Sequence, residues 1–253
     1  MLYWLLKYVL LGPILRLFWP TKVVGMDNIP ASGGAIVASN HLAVVDSFFL
    51  STHVRRRIVF LAKSEYFTGG GVKGKLQKWF FSGSGQYPID RSGGSAGRAA
   101  LDTGVRLLSE GRLLGVYPEG TRSPDGKLYK GKTGVGRMAL EANVRIVPVA
   151  MIGTDRVNPI GSKMWWPMRI EIRIGEPLDF SRYAGLAGDR FVERSIADEL
   201  MYALMELSGQ EYADMYAAKA KELADAERRG VAVAVPKQEA VPDADRVVQS
   251  RAS

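Results

Sequence analysis

Short apolar runs that alternate with helical patterns constrain the fold of this chain more than any other feature of its sequence. Three such runs read as strands, residues 35–38, 113–117 and 145–152, and residues 169–174 alternate apolar and charged side chains as a further strand would. A helical pattern from about residue 95 to residue 110, with Gly111 as its stop, lies between the first two. Strands spaced by helices predict an α/β fold with a mixed, mainly parallel central sheet flanked by helices. The loops after Ala38 and Tyr117 would then open at the same edge of that sheet.

The sequence around this pattern divides the chain into three predicted segments. At 253 residues, the chain is long enough for one large α/β domain with a substantial core. We assign that domain to residues 20–229, including two C-terminal helices that Ser208 and Gly209 separate. Residues 230–253 are poor in aromatic side chains, and we expect this tail to be disordered.

The N-terminal segment, residues 1–19, is almost wholly apolar, and we expect it to lie at a membrane surface rather than to cross it. A spanning helix needs about 20 apolar residues with few charges, whereas this segment contains Lys7, Arg16 and the helix breaker Pro13. The belt residues of such a kinked interfacial segment would be Tyr3, Trp4, Phe18 and Trp19. Because Lys7 and Arg16 fall on opposite sides of an ideal helix, packing of this segment on the protein's own core stays open as an alternative.

The charge of the chain points to an anionic partner. Its 34 Lys and Arg against 26 Asp and Glu give a formal net charge of +8, which suits nucleic acid, phosphorylated small molecules or an acidic lipid surface. Within residues 55–81, basic and aromatic side chains accompany the single acid Glu65. The membrane-facing candidates in this basic stretch are Lys73, Lys75, Lys78, Trp79 and Phe80. Single-stranded nucleic acid would attract the same mixture, and residues 58–61 inside it read as a buried strand.

Cysteine and histidine usage restricts the chemistry. With no cysteine and only two histidines, the chain cannot form a disulfide framework, a thiolate metal site or a histidine-rich metal centre. We therefore expect neither a metal nor a resident cofactor.

Residues 40–46, Asn-His-Leu-Ala-Val-Val-Asp, follow an apolar strand and lead into a helix. Five residues apart, His41 and Asp46 could not share one helical face. They can meet only if His41 lies in the turn and Asp46 in the first helical turn. The carboxylate would then hold the proton of one imidazole nitrogen and leave the other basic, which makes a general base. The alternative is that Asp46 caps a helix and His41 is a polar turn residue.

Two further motif matches point to chemistries that the rest of the sequence does not support. Residues 93–97 match the Gly-x-Ser-x-Gly nucleophile elbow, but no histidine follows Ser95, as the hydrolase triad requires. Residues 126–133 match the phosphate-binding P-loop, yet a loop separates them from the preceding strand and no convincing Walker-B strand follows. A nucleotide triphosphatase stays a minor alternative, in which Lys130 and Lys132 face a phosphate.

Four short blocks occur in an order and spacing that resemble those of one enzyme family. They are Asn40-His41 with Asp46, residues 88–91 (Pro-Ile-Asp-Arg), residues 118–123 (Pro-Glu-Gly-Thr-Arg-Ser) and residues 147–149 (Val-Pro-Val). The set resembles the PlsC-type glycerolipid acyltransferases, typified by 1-acylglycerol-3-phosphate acyltransferase. The resemblance covers roughly residues 20–180. One block would be weak support, whereas four in register are highly specific.

The resemblance implies a direct acyl transfer. His41 would take the proton of the acceptor hydroxyl so that the oxygen attacks an acyl thioester, and Asp46 would orient the imidazole. Such a transfer needs no protein nucleophile. Two departures from the family pattern affect this site: Ala43 stands where the family usually has Ser, and Tyr117 where it often has Phe. Since His41 and Asp46 are both present, we expect the reaction to survive these departures.

The resemblance also implies an acceptor-phosphate site in the second and third blocks. Its residues here would be Arg91, Glu119, Gly120, Thr121 and Arg122. Guanidinium groups and backbone amides suit a phosphate because they donate several hydrogen bonds to it. A carboxylate repels a phosphate and donates no hydrogen bond to it, so we expect Glu119 to position Arg91 or Arg122. Asn40 and Pro148 would shape the pocket.

The implied enzyme is a peripheral or monotopic protein at the cytoplasmic face of the cell membrane. Its donor would be acyl-CoA or an acyl carrier protein thioester, and its acceptor lysophosphatidic acid or a similar lysolipid, with no part for nucleic acid. Glycerol 3-phosphate or another lysolipid is the nearest alternative acceptor. A non-catalytic membrane-binding module is the alternative from a different functional class.

Overall fold

The computed structural model describes residues 2–64, 67, 69–71, 74–75, 79, 85–89 and 96–229. The predicted site residues outside these ranges are Lys73, Lys78, Phe80 and Arg91, and so is the predicted tail 230–253. Two other predicted membrane-facing residues, Lys75 and Trp79, are exposed. The chain divides into two compact units, Met1–Lys221 and Glu222–Ser253. The sheet, the core and the site described below belong to the first unit.

A seven-stranded sheet with the order β1-β8-β7-β2-β5-β3-β4 organises the first unit, and β6 and β9 form a separate small sheet. The strands are β1 (Thr21–Val24), β2 (Ala35–Ser39), β3 (Ile58–Lys63), β4 (Gln86–Ile89), β5 (Leu113–Val116), β6 (Leu128–Tyr129), β7 (Ile146–Ile152), β8 (Ile170–Ile174) and β9 (Tyr212–Ala213). Among the described strands, β7 and β8 pair antiparallel and all other neighbours pair parallel. The predicted mixed, mainly parallel sheet is confirmed.

Helices flank the large sheet. The helices of the first unit are α1 (Leu2–Leu5), α2 (Leu11–Phe18), α3 (Asp46–His53), α4 (Ala96–Ser109), α5 (Gly134–Ala142), α6 (Thr154–Val157) and α7 (Arg190–Ser208), with short 3₁₀ turns at Met26–Asn28 and Ser181–Tyr183. A further helix, α8 (Ala217–Arg228), begins in the first unit and ends in the second. The Asp189 side chain caps α7 by accepting two backbone N–H groups of its first turn. Gly209, with φ of 71°, ends the same helix. The predicted break between two C-terminal helices is therefore confirmed.

Both faces of the large sheet are buried at its centre, along β2. Along β2, Ala35 and Val37 join a core that includes Phe49 of α3. Ile36 and Ala38, which point to the opposite face, join a second core with α4, α5 and α7. Burial on both faces explains why these strands read as continuous apolar runs rather than as alternating ones.

The N-terminal segment packs on α3 through one face. A π-helical turn, Leu6–Leu10, connects α1 to α2 shortly before Pro13. Proline has no N–H to donate, and its ring clashes with the carbonyl four residues earlier, so a regular α-helix is disfavoured there. The wider turn changes which side chains align. The Lys7 Nζ group contacts the carbonyl oxygen of Val54, and Arg16 Nη2 donates to the carbonyl of Thr52 at 3.0 Å.

Lys7 and Arg16 thus reach the same helix, and the expectation that they lie on opposite sides is wrong. Packing on the protein's own core, the alternative interpretation, holds for this face of the segment. The opposite face leaves Trp4 and Phe18 exposed. Trp19 is only partly buried, and its Nε1 atom donates to the carbonyl oxygen of Trp166 at 2.7 Å. No helix in the described ranges is long and apolar enough to span a bilayer.

Candidate active site

The turn after β2 brings His41 and Asp46 together. Asp46 is the first residue of α3, and His41 lies in the turn before it. His41 Nδ1 is 2.9 Å from Asp46 Oδ2, which also accepts the backbone N–H groups of Leu42 at 2.8 Å and Ala43 at 2.9 Å. The predicted meeting of the two side chains is confirmed. The alternative that Asp46 only caps its helix is wrong, because its carboxylate accepts N–H groups of the preceding turn.

The surroundings of Asp46 decide where the imidazole proton lies. Asp46 is fully buried, and its other oxygen, Oδ1, has no hydrogen-bond partner in the described part of the chain. A carboxylate only accepts hydrogen bonds, so the contact with Asp46 places an N–H of His41 on Nδ1 and leaves Nε2 as the nitrogen available to a substrate. The His41 side chain is 18% exposed. Such an imidazole can remove a proton from a substrate hydroxyl, and its catalytic role stays a prediction.

Tyr117, the residue directly after β5, packs against one face of the imidazole. Its ring stacks on the His41 ring with centroids 3.8 Å apart and an interplanar angle of 13°. The Tyr117 Oη and Ser47 Oγ atoms are 2.7 Å apart. Burial raises the pKa of Tyr117 well above its usual range, with the nearby Asp46 carboxylate adding to the effect, so the phenol is neutral.

Sequence reasoning missed the contribution of Tyr117 and Ser47 to the site. Ala43 is buried and offers no hydroxyl. Two hydroxyl groups instead come from Ser47, the residue after Asp46, and from Tyr117, which contacts Ser47. One signal was available. Tyr117 ends a predicted strand at the edge where His41 was expected, which places an aromatic ring beside the imidazole.

Glu119 binds the backbone of the His41 turn; it does not hold the Arg122 side chain. Its Oε1 atom accepts the backbone N–H of His41 at 3.0 Å, and its Oε2 atom accepts the backbone N–H of Tyr129 at 3.0 Å. The prediction that Glu119 holds Arg122 is therefore wrong, and Arg91 lies outside the described residues. Glu119 is 1% exposed, and burial raises its pKa to about 7 despite the two N–H donors.

The loop of residues 119–123 runs beside the His41 turn. The Ser123 N–H donates to the carbonyl oxygen of His41 at 2.8 Å, so the third block lies directly against the first. Gly120 adopts a φ of 76°, which favours glycine. A Cβ atom there would lie 2.8 Å from Lys132 Nζ. The Lys132 side chain thus covers this turn, and the predicted convergence of the first and third blocks is confirmed.

The predicted phosphate-binding cations differ in their availability. Among the described residues, neither Arg122 nor Lys132 has an ion-pair partner. Lys130 instead pairs with Asp214, with 2.8 Å between Nζ and Oδ1, and its placement toward a phosphate stays a prediction. Thr121 is half-buried in the same loop.

The two predicted pocket-shaping residues hold the sheet together. The buried Asn40 side chain accepts the Met151 N–H at 2.7 Å and donates to the Met151 carbonyl at 3.0 Å. It also donates to Gln210 Oε1 at 2.7 Å. Pro148 lies within β7, in register with Ala38 of β2. These contacts fix the strand ends from which the site loops leave, while a pocket-lining role stays a prediction.

The P-loop match does not form a phosphate-binding loop. Residues 126–133 contain the strand β6, which pairs parallel with β9 through Leu128 and Tyr129. Both side chains are buried. A strand with buried side chains cannot wrap its amides around a phosphate, so the nucleotide triphosphatase alternative is wrong.

Comparison with known proteins agrees with this site. One family model, described as Acyltransferase, matches residues 20–152. A 1-acyl-sn-glycerol-3-phosphate acyltransferase of Bacillus subtilis (strain 168) is 30% identical over 175 residues, 68% of this chain and 81% of that protein. A chloroplastic 1-acyl-sn-glycerol-3-phosphate acyltransferase of Arabidopsis thaliana is 29% identical over 147 residues, 58% of this chain and 40% of that protein.

A solved structure shares the fold as well. The crystal structure of the 1-acyl-sn-glycerophosphate (LPA) acyltransferase PlsC from Thermotoga maritima matches with a TM-score of 0.53 at 28% identity. The match covers 74% of this chain and 73% of that chain. The family match spans the His41 and Glu119 loops described above. The chain therefore belongs to the PlsC-type glycerolipid acyltransferase family and is an acyltransferase.

Proposed function

We propose that this enzyme transfers a fatty acyl group from an acyl thioester to the free hydroxyl of 1-acyl-glycerol-3-phosphate, giving phosphatidic acid. One observation carries the proposal: a buried carboxylate holds the imidazole of His41, and the backbone of the same turn is bonded to Ser123, the neighbour of Arg122. A base and a guanidinium in adjacent loops suit an acceptor with both a hydroxyl and a phosphate. The names of the relatives from Bacillus subtilis, Arabidopsis thaliana and Thermotoga maritima support this acceptor.

The proposed reaction is a single displacement at the thioester carbonyl. His41 Nε2 removes the proton of the acceptor hydroxyl while its oxygen forms a bond to the carbonyl carbon. The resulting tetrahedral intermediate collapses with cleavage of the carbon–sulfur bond, and the thiolate takes the proton back from the imidazolium. The buried Asp46 carboxylate stabilises the imidazolium between these steps. No covalent acyl-enzyme is needed, and the chain contains no cysteine that would form a thioester with the acyl group.

In this proposal, the acceptor phosphate binds to the cations beside the His41 turn. Arg122 offers a planar pair of donors that matches phosphate oxygens, and Lys132 offers a flexible charge over Gly120. Thr121 adds a hydroxyl from the same loop. Arg91 of the second block stays a proposed ligand by resemblance alone. Lys130 is left out because Asp214 already neutralises it.

The donor and the location complete the proposal. We infer that the acyl thioester is acyl-CoA or an acyl carrier protein thioester, used as a co-substrate. We also infer that the enzyme binds to the cytoplasmic face of the membrane, where its lysolipid acceptor resides. The exposed apolar face of the N-terminal segment and the formal charge of +8 support this location.

The direct test is product analysis with a panel of acceptors. Purified enzyme, acyl-CoA and equal amounts of lysophosphatidate, glycerol 3-phosphate and lysophosphatidylcholine would be incubated, and the products identified by mass spectrometry. We expect phosphatidate to be the main product. Preferential acylation of glycerol 3-phosphate would transfer the proposal to that acceptor, and preference for lysophosphatidylcholine would contradict a phosphate-monoester site.

A further inference from the structure

The connection between α6 and β8, residues 158–169, displays apolar side chains at the sheet edge that carries His41. We call it the tryptophan loop. Its exposed apolar residues, with exposed fractions, are Ile160 (46%), Met164 (61%), Trp166 (52%) and Met168 (36%). The helix α6, which precedes the loop, follows the end of β7, where the Asn40 side chain binds the backbone of Met151. A cluster of large apolar side chains in solvent indicates an interaction surface.

The tryptophan loop has a defined conformation. The side chain of Asn158, only 4% exposed, donates to the carbonyl oxygens of Ser162 at 3.0 Å and Met164 at 3.4 Å. The Trp166 N–H donates to the carbonyl of Val157 at 2.8 Å. A buried asparagine therefore supports a turn whose tip carries Met164 outward. The apolar exposure follows from a fixed backbone.

The loop joins the N-terminal segment in one surface. The Trp165 ring packs on Trp19 with centroids 5.8 Å apart and on Phe48 at 6.0 Å. Trp19 Nε1 binds the carbonyl of Trp166. Phe18, next to Trp19, is 54% exposed. Because Phe48 lies in the first turn of α3, which begins with Asp46, this surface reaches the catalytic turn.

The charges around the tryptophan loop select an anionic surface. Residues 156–169 contain three cations and no acid. The cations Arg156, Lys163 and Arg169 are all exposed. Tryptophan and methionine beside basic side chains suit the boundary between anionic headgroups and acyl chains. An acidic protein would use the same charges, but it would not need unpaired apolar side chains along two separate segments.

We propose that the tryptophan loop is a second bilayer contact, which acts together with the exposed face of the N-terminal segment to seat the His41 edge on an anionic phospholipid surface. The proposal deepens the proposed function and rests on it, since a lipid acceptor must reach the base from the bilayer. The N-terminal segment and the tryptophan loop lie on opposite sides of Trp19, so together they fix the orientation of the enzyme on the bilayer. Contact through the N-terminal helix alone would let the enzyme rotate about the axis of that helix.

The test measures vesicle binding by a double variant, Met164→Ser with Trp166→Ser. Vesicles of phosphatidylglycerol and phosphatidylcholine would be sedimented with each protein, and folding checked by thermal melting. The matched control is Phe191→Ser, which removes a side chain that is 86% exposed at the start of α7, outside the loop. We expect the double variant to bind about tenfold more weakly and the control to bind like the wild type.

Activity separates this proposal from the proposed function. The double variant should lose turnover of vesicle-borne lysophosphatidate but keep turnover of a short-chain lysophosphatidate that is monomeric in water. Absence of phosphatidate with the wild-type enzyme would contradict the proposed function, whereas vesicle binding requires no turnover. If the double variant does not fold, Lys163→Glu replaces it, with weaker binding expected to anionic vesicles only.

Three outcomes overturn the proposal. The first is binding of the double variant, or of Lys163→Glu, at wild-type strength. The second is an equal loss of binding in Phe191→Ser. That result would mean that any exposed apolar side chain contributes to vesicle binding, wherever it lies. The third is unchanged vesicle binding with loss of binding to an acidic acyl carrier protein, which would assign the loop to a protein partner.

Discussion

The rings of His41 and Tyr117 stack face to face with centroids 3.8 Å apart. The contact fixes the plane of the imidazole, which the hydrogen bond to Asp46 alone would leave free to pivot. The face of an aromatic ring also attracts a cation, so the Tyr117 ring favours the imidazolium that forms during the proposed proton transfer. Tyr117 is thus a positioning residue for the base.

The stack predicts different results for two substitutions of Tyr117. Tyr117→Phe keeps the ring and loses only the contact with Ser47, so kcat should stay within about threefold of wild type, the effect of a modest hydrogen bond. Tyr117→Leu removes the ring face, and kcat should fall roughly tenfold with little change in KM, because about 1.4 kcal/mol of cation stabilisation is lost. Steady-state kinetics of both variants checks this. Equal kcat values for Phe and Leu would contradict a role for the stack.

Glu119 should make the stability of the enzyme depend on pH. Burial raises its pKa from 4.5 to about 7, so the folded chain binds this proton more tightly than the unfolded chain. Its contribution to the free energy of unfolding is therefore greatest below pH 4.5 and is lost as the pH rises from there through 7. Glu119→Gln does not titrate and presents an N–H to one of the two backbone donors.

Urea unfolding at pH 5 and pH 8 measures this contribution. The wild type should exceed Glu119→Gln in unfolding free energy by more at pH 5 than at pH 8, because only the wild type loses the contribution of Glu119 over that interval. Comparing the two proteins cancels the titration of all other groups. A difference that grows toward pH 8 would contradict the raised pKa of Glu119.

Arg122 and Lys130 should differ in their effect on the acceptor. Arg122→Ala removes a guanidinium that has no ion-pair partner in the described part of the chain. The KM for lysophosphatidate should rise at least tenfold, since a bidentate contact to a phosphate is a strong one. Lys130→Ala removes an equal charge from the same stretch of sequence but only breaks its pair with Asp214. The KM of this control should be close to the wild-type value. Similar KM values for the two variants would remove Arg122 from the phosphate site.

Asn40 should matter for stability. Asn40→Ala leaves the N–H and C=O of Met151 without their side-chain partner, and each buried group left unsatisfied costs about 1–3 kcal/mol. We expect a loss of about 2–5 kcal/mol in unfolding free energy, measured by chemical denaturation. Gln210→Ala removes one contact of the same side chain and should cost less. An unchanged midpoint for Asn40→Ala would contradict this account.

The fold followed from local patterns because its strands are buried on both faces. The runs at β2, β5 and β7 are short and apolar, and turn residues bound them, so both their existence and their common edge were predictable. The dyad was predictable for a similar reason, since a five-residue spacing leaves few ways for His41 and Asp46 to meet.

Other features depend on distant parts of the chain, which local patterns do not contain. Glu119 binds the N–H of His41, 78 residues away, so no spacing rule connects them. The P-loop match failed because β9, far along the chain, captures Leu128 and Tyr129 as a strand. Lys7 aligns with Arg16 only through a π-helical turn that an ideal helix does not contain.

The central claim is that His41 is the base, and the chain supplies its own control in the second imidazole. His53, at the other end of α3, is held through Nδ1 by the carbonyl oxygen of Phe49 at 2.8 Å. We predict that kcat/KM for acyl-CoA and lysophosphatidate falls about 10²–10⁴-fold in His41→Ala and stays near the wild-type value in His53→Ala, with both variants folded. A His41→Ala enzyme within tenfold of wild type, a barrier change of at most about 1.4 kcal/mol, would contradict the account.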